Sequence, residues 1–266
     1  MIIILFSILL RFAPNVKSKS DRIDFLFLRM LTVSNERAGN MKRTVFVLLL
    51  ALLLTAPVFA DEADKGWLAL TFDDGPSGEL TETLLEGLRE QNVKATFFVC
   101  GYRVEDYPLA LCHIAEAGHE IGLHSCCHDY MQKMTKAEAV RDLKNCRELV
   151  ERTCGVRAHL FRPPGGLYSS DLLDAAQELD LSVILWSVDP QDWDARFTKA
   201  ARRHVDEHAF PGAVILMHEL SMESVEAALG VVADLKQEGY RFCTVSELAE
   251  HCGKTPEAGG VYSCFG

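Results

Sequence analysis

The fold of this chain is decided by residues 68–76, which have the sequence LALTFDDGP. An apolar run of β-favouring residues that ends in Gly-Pro predicts a buried strand of a parallel sheet, and the chain leaves the sheet at Gly75. Asp73 and Asp74 therefore lie at the carboxyl end of a strand. Adjacent carboxylates repel each other and are costly to desolvate, so we expect a metal ion or an arginine beside them. The alternative for this stretch is a surface turn in which the aspartates bond to the backbone.

Residues 41–60 have the pattern of an export signal: a basic MKR start, an apolar run and a VFA end. We predict a signal peptide cleaved after Ala60, and a secreted or cell-surface protein with no stable membrane span after cleavage. The apolar run is shorter than the roughly 20 residues of a spanning helix. For residues 1–40 two interpretations stay open: a mis-assigned translation start, with Met41 the true one, or an additional membrane-anchoring segment.

The composition is that of a soluble globular protein, with 48% hydrophobic and 24% charged residues. The formal net charge is −11. The sequence contains no basic patch of the kind that would indicate nucleic acid or anionic lipid as a partner.

All nine cysteines follow Ala60, and in an exported chain nine cysteines permit several disulfides. We expect Cys252 and Cys264 to pair, because they bracket a glycine-containing tail; the remaining connectivity stays open.

From Trp67 onward, apolar strand-like runs alternate with amphipathic helical ones, and no linker or repeat divides them. Seven strands are predicted: the opening strand and residues 95–100, 120–124, 159–162, 182–188, 213–218 and 242–245. This alternation predicts a single α/β domain with parallel strands over residues 61–250, followed by a Cys/Gly-containing tail over residues 251–266. Periodicity alone does not distinguish a closed barrel from an open doubly wound sheet.

Polar side chains follow the predicted strands at the points where the strands end. They are Asp73 and Asp74, His124 and His128, Arg162, Asp189, Asp192 and Trp193, and His218 and Glu219. Because the carboxyl ends of parallel strands form one face of an α/β fold, we expect these side chains to meet on one rim.

Two imidazoles and one carboxylate suit a divalent metal ion. Asp74, His124 and His128 form such a set, which favours Zn²⁺, with Co²⁺, Mn²⁺ or Ni²⁺ as alternatives. Three protein ligands leave a position for water, which is a usable nucleophile near neutral pH when a metal binds it. For a His-x-x-x-His pair alone, a solvated helix face is the simpler interpretation. Here His124 directly follows an apolar run and shares the rim with two carboxylates, which favours the metal site.

The remaining rim residues are suited to proton transfer. Asp73 is a candidate general base, and Arg162 is expected to pair with it and keep it ionised. His218 is a candidate general acid for a leaving amine, with Asp192 or Asp189 raising its basicity. The simpler interpretations are a structural salt bridge for Arg162 and a buried core histidine for His218.

Five separated motifs resemble those of the NodB-type polysaccharide deacetylases, carbohydrate esterase family 4. They are TFDDGP (71–76), HSCCH (124–128), RPPGG (162–166), DPQDW (189–193) and ILMH (215–218). They occur in the family's order over residues 67–248. The resemblance implies a distorted (β/α) barrel with about seven parallel strands, and it favours that barrel over the open sheet.

The resemblance also implies roles for single residues. Asp73 is implied as the base, His218 as the acid, and Asp74, His124 and His128 as the metal ligands. Arg162 and Asp192 would tune the base and the acid. Substrate would be bound by Gly165, Trp193 and Leu216, the first through its backbone N–H and the other two by lining a pocket for the acetyl methyl group.

Two positions depart from the family's pattern. Gly165 stands where an aromatic residue usually follows the paired prolines, so the N–H donor is kept but a side-chain wall is lost. Glu219 stands where Asp usually follows the histidine, which keeps the charge on a longer side chain.

Two cysteines, Cys126 and Cys127, lie between the two predicted histidine ligands. Thiolates bind zinc, so these thiols either enter the site, or one packs inward while the other pairs or stays free.

The expected function is removal of N-acetyl groups from an amino-sugar polysaccharide by a secreted, metal-dependent hydrolase, which is expected to be a monomer. Peptidoglycan is the first expected substrate and chitin-type oligomers the second. An acetylxylan-type O-deacetylase is the alternative within enzymes, since ester hydrolysis needs the same groups. An inactive carbohydrate-binding relative is the alternative from another class, although such a protein has no use for both a base and an acid.

Overall fold

The computed structural model describes residues 64–266, so the predicted signal peptide and the segment before it lie outside the described residues. Eight strands belong to one sheet, and every pairing between named strands is parallel. The strands are β1 (Gly66–Gly75), β2 (Thr96–Val99), β3 (Glu120–Leu123), β4 (Leu160–Phe161), β5 (Ser182–Ile184), β6 (Val214–His218), β7 (Tyr240–Cys243) and β8 (Val261–Tyr262).

The sheet is organised around β1, which confirms the strand predicted from the opening stretch. The strand order is β6-β1-β2-β3-β4-β5-β8, and β7 pairs with the first residues of β1. After β5, Val188 forms a parallel bridge with Ile215 of β6, so the sheet curls back toward its own edge. The structure is therefore the predicted distorted (β/α) barrel and not an open doubly wound sheet.

Helices connect the strands. They are α1 (Glu79–Glu90), α2 (Gly101–Asp106), α3 (Pro108–Glu116), α4 (Lys136–Cys154), α5 (Ser170–Glu178), α6 (Thr198–His208), α7 (Met222–Gln237) and α8 (Val245–His251). Two short 3₁₀ turns, Met131–Lys133 and Pro164–Gly166, lie in the loops. None of the helices within residues 64–266 is long and apolar enough to cross a membrane.

Side chains alternate between two cores along the strands, as the period of two requires. On β1, Leu70 and Phe72 belong to the larger core. Ala69 of the same strand belongs to a smaller core with Phe98 of β2 and Val214 of β6. Asp73 lies four residues after Ala69, so its side chain is on the same side of the strand as that of Ala69. This side is the inner face of the curled sheet.

The predicted seventh strand, over residues 242–245, is wrong at its end. The strand stops at Cys243, and Val245 already begins α8. Thr244 caps that helix, because its side chain accepts from the Glu247 N–H while the Glu247 carboxylate accepts from the Thr244 N–H. This capping box outweighs the β-propensity of the apolar residues before it.

The predicted disulfide between Cys252 and Cys264 is also wrong. All nine cysteines lie within residues 64–266, and all are free thiols there. The tail does not fold back on Cys252: it supplies β8 beside β5, and Cys264 then forms an antiparallel bridge with Ala213. The sheet therefore continues past residue 250, which is the predicted end of the catalytic domain.

Candidate metal centre and active site

A β-bulge at the end of β1 brings both aspartates to the same place. The pairing with β2 steps from Asp73–Phe98 to Gly75–Val99, which leaves Asp74 without a register partner. Asp74 has φ 70°, a left-handed conformation that Asp tolerates better than most residues. In a regular strand, neighbouring side chains point to opposite faces. With the bulge, both carboxylates approach the His124 ring, at 3.7 Å from Asp73 and 3.4 Å from Asp74.

The three predicted metal ligands come together at the end of β1 and in the loop after β3. The Asp74 Oδ1 atom lies 3.4 Å from His124 Nε2 and 3.2 Å from His128 Nε2. The three ligand atoms all lie within 4.8 Å of one another. The His124 Nδ1–H donates to the Arg162 carbonyl at 2.7 Å, which leaves Nε2 as the free lone pair. His124 is buried and His128 is partly exposed, so the set opens to solvent on the His128 side.

This donor set fits a divalent ion. Two ligands about 2.0–2.2 Å from a tetrahedral zinc lie about 3.3 Å apart, close to the separations from Asp74 Oδ1 to the two imidazoles. Those separations are long for charge-assisted hydrogen bonds, which are about 2.7–2.9 Å. Asp74 Oδ1 is also buried without a hydrogen-bond partner in the described chain. Burial alone would raise the pKa of Asp74, but the neighbouring histidines outweigh burial and lower the pKa, which favours the ionised ligand.

Arg162 holds Asp73 from the inner side of the barrel. Its guanidinium is fully buried and donates to Asp73 Oδ1 at 2.7 Å. It also donates to the Thr71 hydroxyl at 2.7 Å and to the carbonyls of Ile184 and Leu185. Burial lowers the pKa of Arg162, and the charge of Asp73 opposes that effect. Because Oδ1 is engaged by Arg162, Oδ2 is the oxygen that faces the histidines.

His218 lies directly beside Asp73, since the two are register partners across β1 and β6. The imidazole Nδ1–H donates to Asp192 Oδ1 at 2.8 Å, and the His218 backbone N–H donates to Asp192 Oδ2 at 2.9 Å. Burial alone would lower the pKa of His218, but the hydrogen bond and charge of Asp192, together with the charges of Asp73 and Asp74, outweigh burial and raise the pKa. Of the two predicted partners, Asp192 is therefore the one in contact. Asp189 instead accepts the Gln191 N–H within its own loop.

The three predicted substrate-binding residues occupy different positions on the rim. Leu216 is buried two residues before His218, on the same face of β6. Trp193 is 56% exposed and follows Asp192. Gly165 lies in the second 3₁₀ turn with φ 66°, where a side chain would be strained.

Thr71 is a contact of Arg162 that was not predicted from the sequence motifs. The alternation of side chains along the strand could have indicated this contact, because Thr71 precedes Asp73 by two residues and faces the same side. The two thiols near the histidines also differ. Cys127 is exposed, whereas the Cys126 thiol donates to the Asp142 carbonyl in α4, so Cys126 packs inward. The only candidate metal group found within residues 64–266 contains neither cysteine.

Glu219 is a buried carboxylate behind the Asp74 turn. It is fully buried, and neither oxygen has a hydrogen-bond partner within the described residues. A Cβ on Gly75 would lie only 1.8 Å from Glu219 Oε1, so only glycine fits beside it. Burial raises the pKa of Glu219 from 4.5 to about 7.

Replacing Glu219 by Gln should therefore stabilise the protein selectively at high pH. The unfolded wild-type chain loses this proton near pH 4.5 and the folded one near pH 7, so the wild type loses stability as pH rises through this window. The gain of the variant over the wild type should grow by about 3 kcal/mol between the two ends of the window. Urea denaturation of both metal-free proteins across this pH range measures the gain. Glu223→Gln removes an exposed carboxylate from α7 as a control, and an equal gain for it would contradict the prediction.

Together, the fold and the site define an α/β barrel with a candidate divalent-metal centre. Beside this centre lie Asp73, which is bonded to Arg162, and His218, which is bonded to Asp192. The family model described as Polysaccharide deacetylase matches residues 60–184. A peptidoglycan-N-acetylglucosamine deacetylase of Bacillus cereus is 34% identical over 197 residues, which cover 73% of this chain and 72% of that protein. This chain belongs to the polysaccharide deacetylase family. The predicted family and protein class, a hydrolase of the deacetylase type, are confirmed.

Further similarities agree with this assignment. The chain is 36% identical over 183 residues to peptidoglycan-N-acetylmuramic acid deacetylase PdaC of Bacillus subtilis, but the match spans only 38% of that relative's length and 69% of this chain. A solved structure of T48 deacetylase with substrate has a TM-score of 0.70 at 35% identity, covering 76% of this chain and 99% of that one. A family 4 acetyl xylan esterase from Clostridium thermocellum, solved with a cobalt ion, has a TM-score of 0.69 at 29% identity, covering 74% and 98%.

Proposed function

We propose that this protein is a secreted, metal-dependent hydrolase that removes N-acetyl groups from an amino-sugar polysaccharide. The observation that carries the proposal is the position of His218 directly beside Asp73 on neighbouring strands, with the Asp74, His124 and His128 ligand set next to them. An acid, a base and a metal centre on one rim are what amide hydrolysis requires.

In this proposal, Asp74, His124 and His128 hold the ion. A divalent ion in that position supplies Lewis-acid polarisation of the acetyl carbonyl and lowers the pKa of water. Asp73 Oδ2 takes a proton from the attacking water, while Arg162 keeps Oδ1 engaged and the carboxylate oriented. Zn²⁺ is the first candidate ion, with Co²⁺, Mn²⁺ and Ni²⁺ as alternatives.

His218 completes the reaction as the general acid. Asp192 engages Nδ1, so Nε2 is the ring atom left to donate a proton to the departing amine. The raised pKa of His218 keeps the imidazole protonated to a higher pH than an ordinary histidine, which suits a general acid. The Gly165 N–H is the proposed donor to the developing oxyanion, with Leu216 and Trp193 beside the acetyl methyl. The products are acetate and a free amine on the sugar.

Peptidoglycan is the proposed polymer, because two of the similar proteins are described as peptidoglycan deacetylases. Chitin-type oligomers are the second candidate. An O-deacetylase acting on acetylated xylan is a specific alternative, favoured by the similarity to an acetyl xylan esterase. A carbohydrate-binding protein without activity is the alternative from another class.

Acetate release by the zinc-loaded protein tests these functions directly. Peptidoglycan, N-acetylglucosamine oligomers and acetylated xylan are offered in parallel, with a chelator-treated sample as the control. We expect release from an N-acetylated glycan that the chelator abolishes. Release from xylan alone would establish the O-deacetylase instead. Glycan binding without acetate release from any substrate would establish the inactive binding protein.

Export is part of the proposal and has its own test. The predicted signal lies outside the described residues, so N-terminal sequencing of the native protein is the decisive measurement. A mature chain that begins at Asp61 is expected, and one that begins earlier would contradict cleavage after Ala60.

A further inference from the structure

Tyr130 lies over Gly165, at the place where that residue has no side chain of its own. An ideal Cβ on Gly165 would lie 2.8 Å from Tyr130 Cε1, 3.5 Å from Cδ1 and 3.9 Å from Cζ. These three atoms belong to one edge of the phenol ring. The ring therefore fills the space that a side chain at Gly165 would occupy, and the glycine is what allows the close approach.

The same ring contacts the more exposed member of the predicted ligand set. Its centroid lies 6.3 Å from that of His128, with an interplanar angle of 67°, which is an edge-to-face arrangement. Tyr130 thus spans from His128 to Gly165. These are the solvent-facing metal ligand and the proposed oxyanion donor, so the ring stands at the opening between them.

Tyr130 is held in this position although it is largely exposed. Its side chain is 61% exposed, whereas Met131, the next residue, is fully buried. Met131 also begins the first 3₁₀ turn, where its carbonyl accepts the Met134 N–H at 3.0 Å. An exposed aromatic ring on an anchored backbone is suited to binding, because little conformational freedom is lost when a ligand covers it.

We propose that Tyr130 forms a wall of the sugar-binding cleft, where its ring packs against the apolar C–H face of a pyranose whose acetamide reaches between His128 and Gly165. The ligand class is an N-acetylated amino sugar within a glycan chain. This inference deepens the proposed function and rests on it for the identity of the sugar. The recognition is apolar, so the ring and not the hydroxyl carries it.

The test compares Tyr130→Ala and Tyr130→Phe with the wild type, all loaded with zinc. Calorimetric binding of an N-acetylglucosamine oligomer and the KM for acetate release are the readouts, together with zinc affinity by chelator competition. Phe210→Ala is the matched control, because Phe210 is an exposed aromatic residue that precedes β6, at the opposite end of the strands from the site.

Tyr130→Ala is expected to weaken oligomer binding and raise KM about tenfold, which corresponds to about 1.4 kcal/mol. Zinc affinity should not change, and both Tyr130→Phe and Phe210→Ala should bind like the wild type. Unchanged oligomer binding in Tyr130→Ala would overturn the inference, and so would an equal loss in Tyr130→Phe. A parallel loss of zinc affinity would overturn it in favour of a structural role under His128. Oligomer binding that depends on Tyr130 without any acetate release would support the inference while the proposed function fails.

Discussion

With Asp73 replaced by Asn, kcat for acetate release from an N-acetylated glycan is expected to fall about a thousandfold, while zinc affinity stays unchanged. Asn has the shape of Asp but cannot accept a proton from water near neutral pH. Its side-chain oxygen can still accept from Arg162 Nη1, which lies 2.7 Å from Asp73 Oδ1, so the inner face of the barrel should remain intact. The catalytic loss should appear in kcat and not in metal content, whereas the free energy of unfolding should fall as well, because the buried Arg162 guanidinium loses its charged partner.

The control for this substitution is Asp189→Asn. Asp189 lies in the loop after β5 and accepts the Gln191 N–H at 2.9 Å, but it does not contact His218. This variant removes the same charge from the same region and should retain kcat within a few-fold. Steady-state kinetics, zinc titration and thermal unfolding on all three proteins make the comparison. Near-wild-type kcat in Asp73→Asn would rule out Asp73 as the base.

Replacing Arg162 by Met is expected to destabilise the protein by about 3–5 kcal/mol, because a buried carboxylate loses its charged partner. Both side chains of the pair are almost completely buried, at 0% exposure for Arg162 and 4% for Asp73. The Ile184 and Leu185 carbonyls would lose their guanidinium donors as well. Each of these groups would remain in the interior without replacement water.

A double substitution separates the charge effect from the packing effect. In Arg162→Met/Asp73→Asn no buried charge is left unpaired, so the double variant should recover part of the stability that the single variant loses. Arg241→Met is the control, because Arg241 forms a half-exposed ion pair with Asp64 at the other end of β1, and its loss should cost less than about 1 kcal/mol. Guanidinium denaturation of these three variants, of Asp73→Asn and of the wild type gives the free energies. A cost below about 1 kcal/mol for Arg162→Met would contradict the buried pair.

Much of the fold and the site could be predicted because strand ends are visible in the sequence. An apolar run followed directly by Asp73, His124, Arg162 or His218 places that side chain at the end of a parallel strand, and such ends meet on one face. The structure brings these four residues together. Their spacing along the chain, from β1 to β6, carried no information on which pairs touch.

The remaining features depend on contacts that local sequence does not encode. The bulge that turns Asp74 into the site is a matter of register between two strands. The short β8 pairs with β5 only because the tail runs across the open side of the sheet, and two residues give no periodic signal. Tyr130 and Gly165 lie in two separate loops, and the sequence of neither loop predicts that the two residues are close.

The bulge at Asp74 gives two adjacent positions different mutational tolerance. Asp73 lies in register with Phe98 and His218 in ordinary strand backbone, so its burial, its bond to Arg162 and its proposed role as the base restrict the choice, and the backbone conformation does not. Asp74 has φ 70°, where β-branched and bulky residues are strained, so the backbone restricts that position before ligand chemistry does. We therefore expect natural variants and directed evolution to show different tolerated substitutions at the two positions. A substitution accepted at one position is no guide to the other.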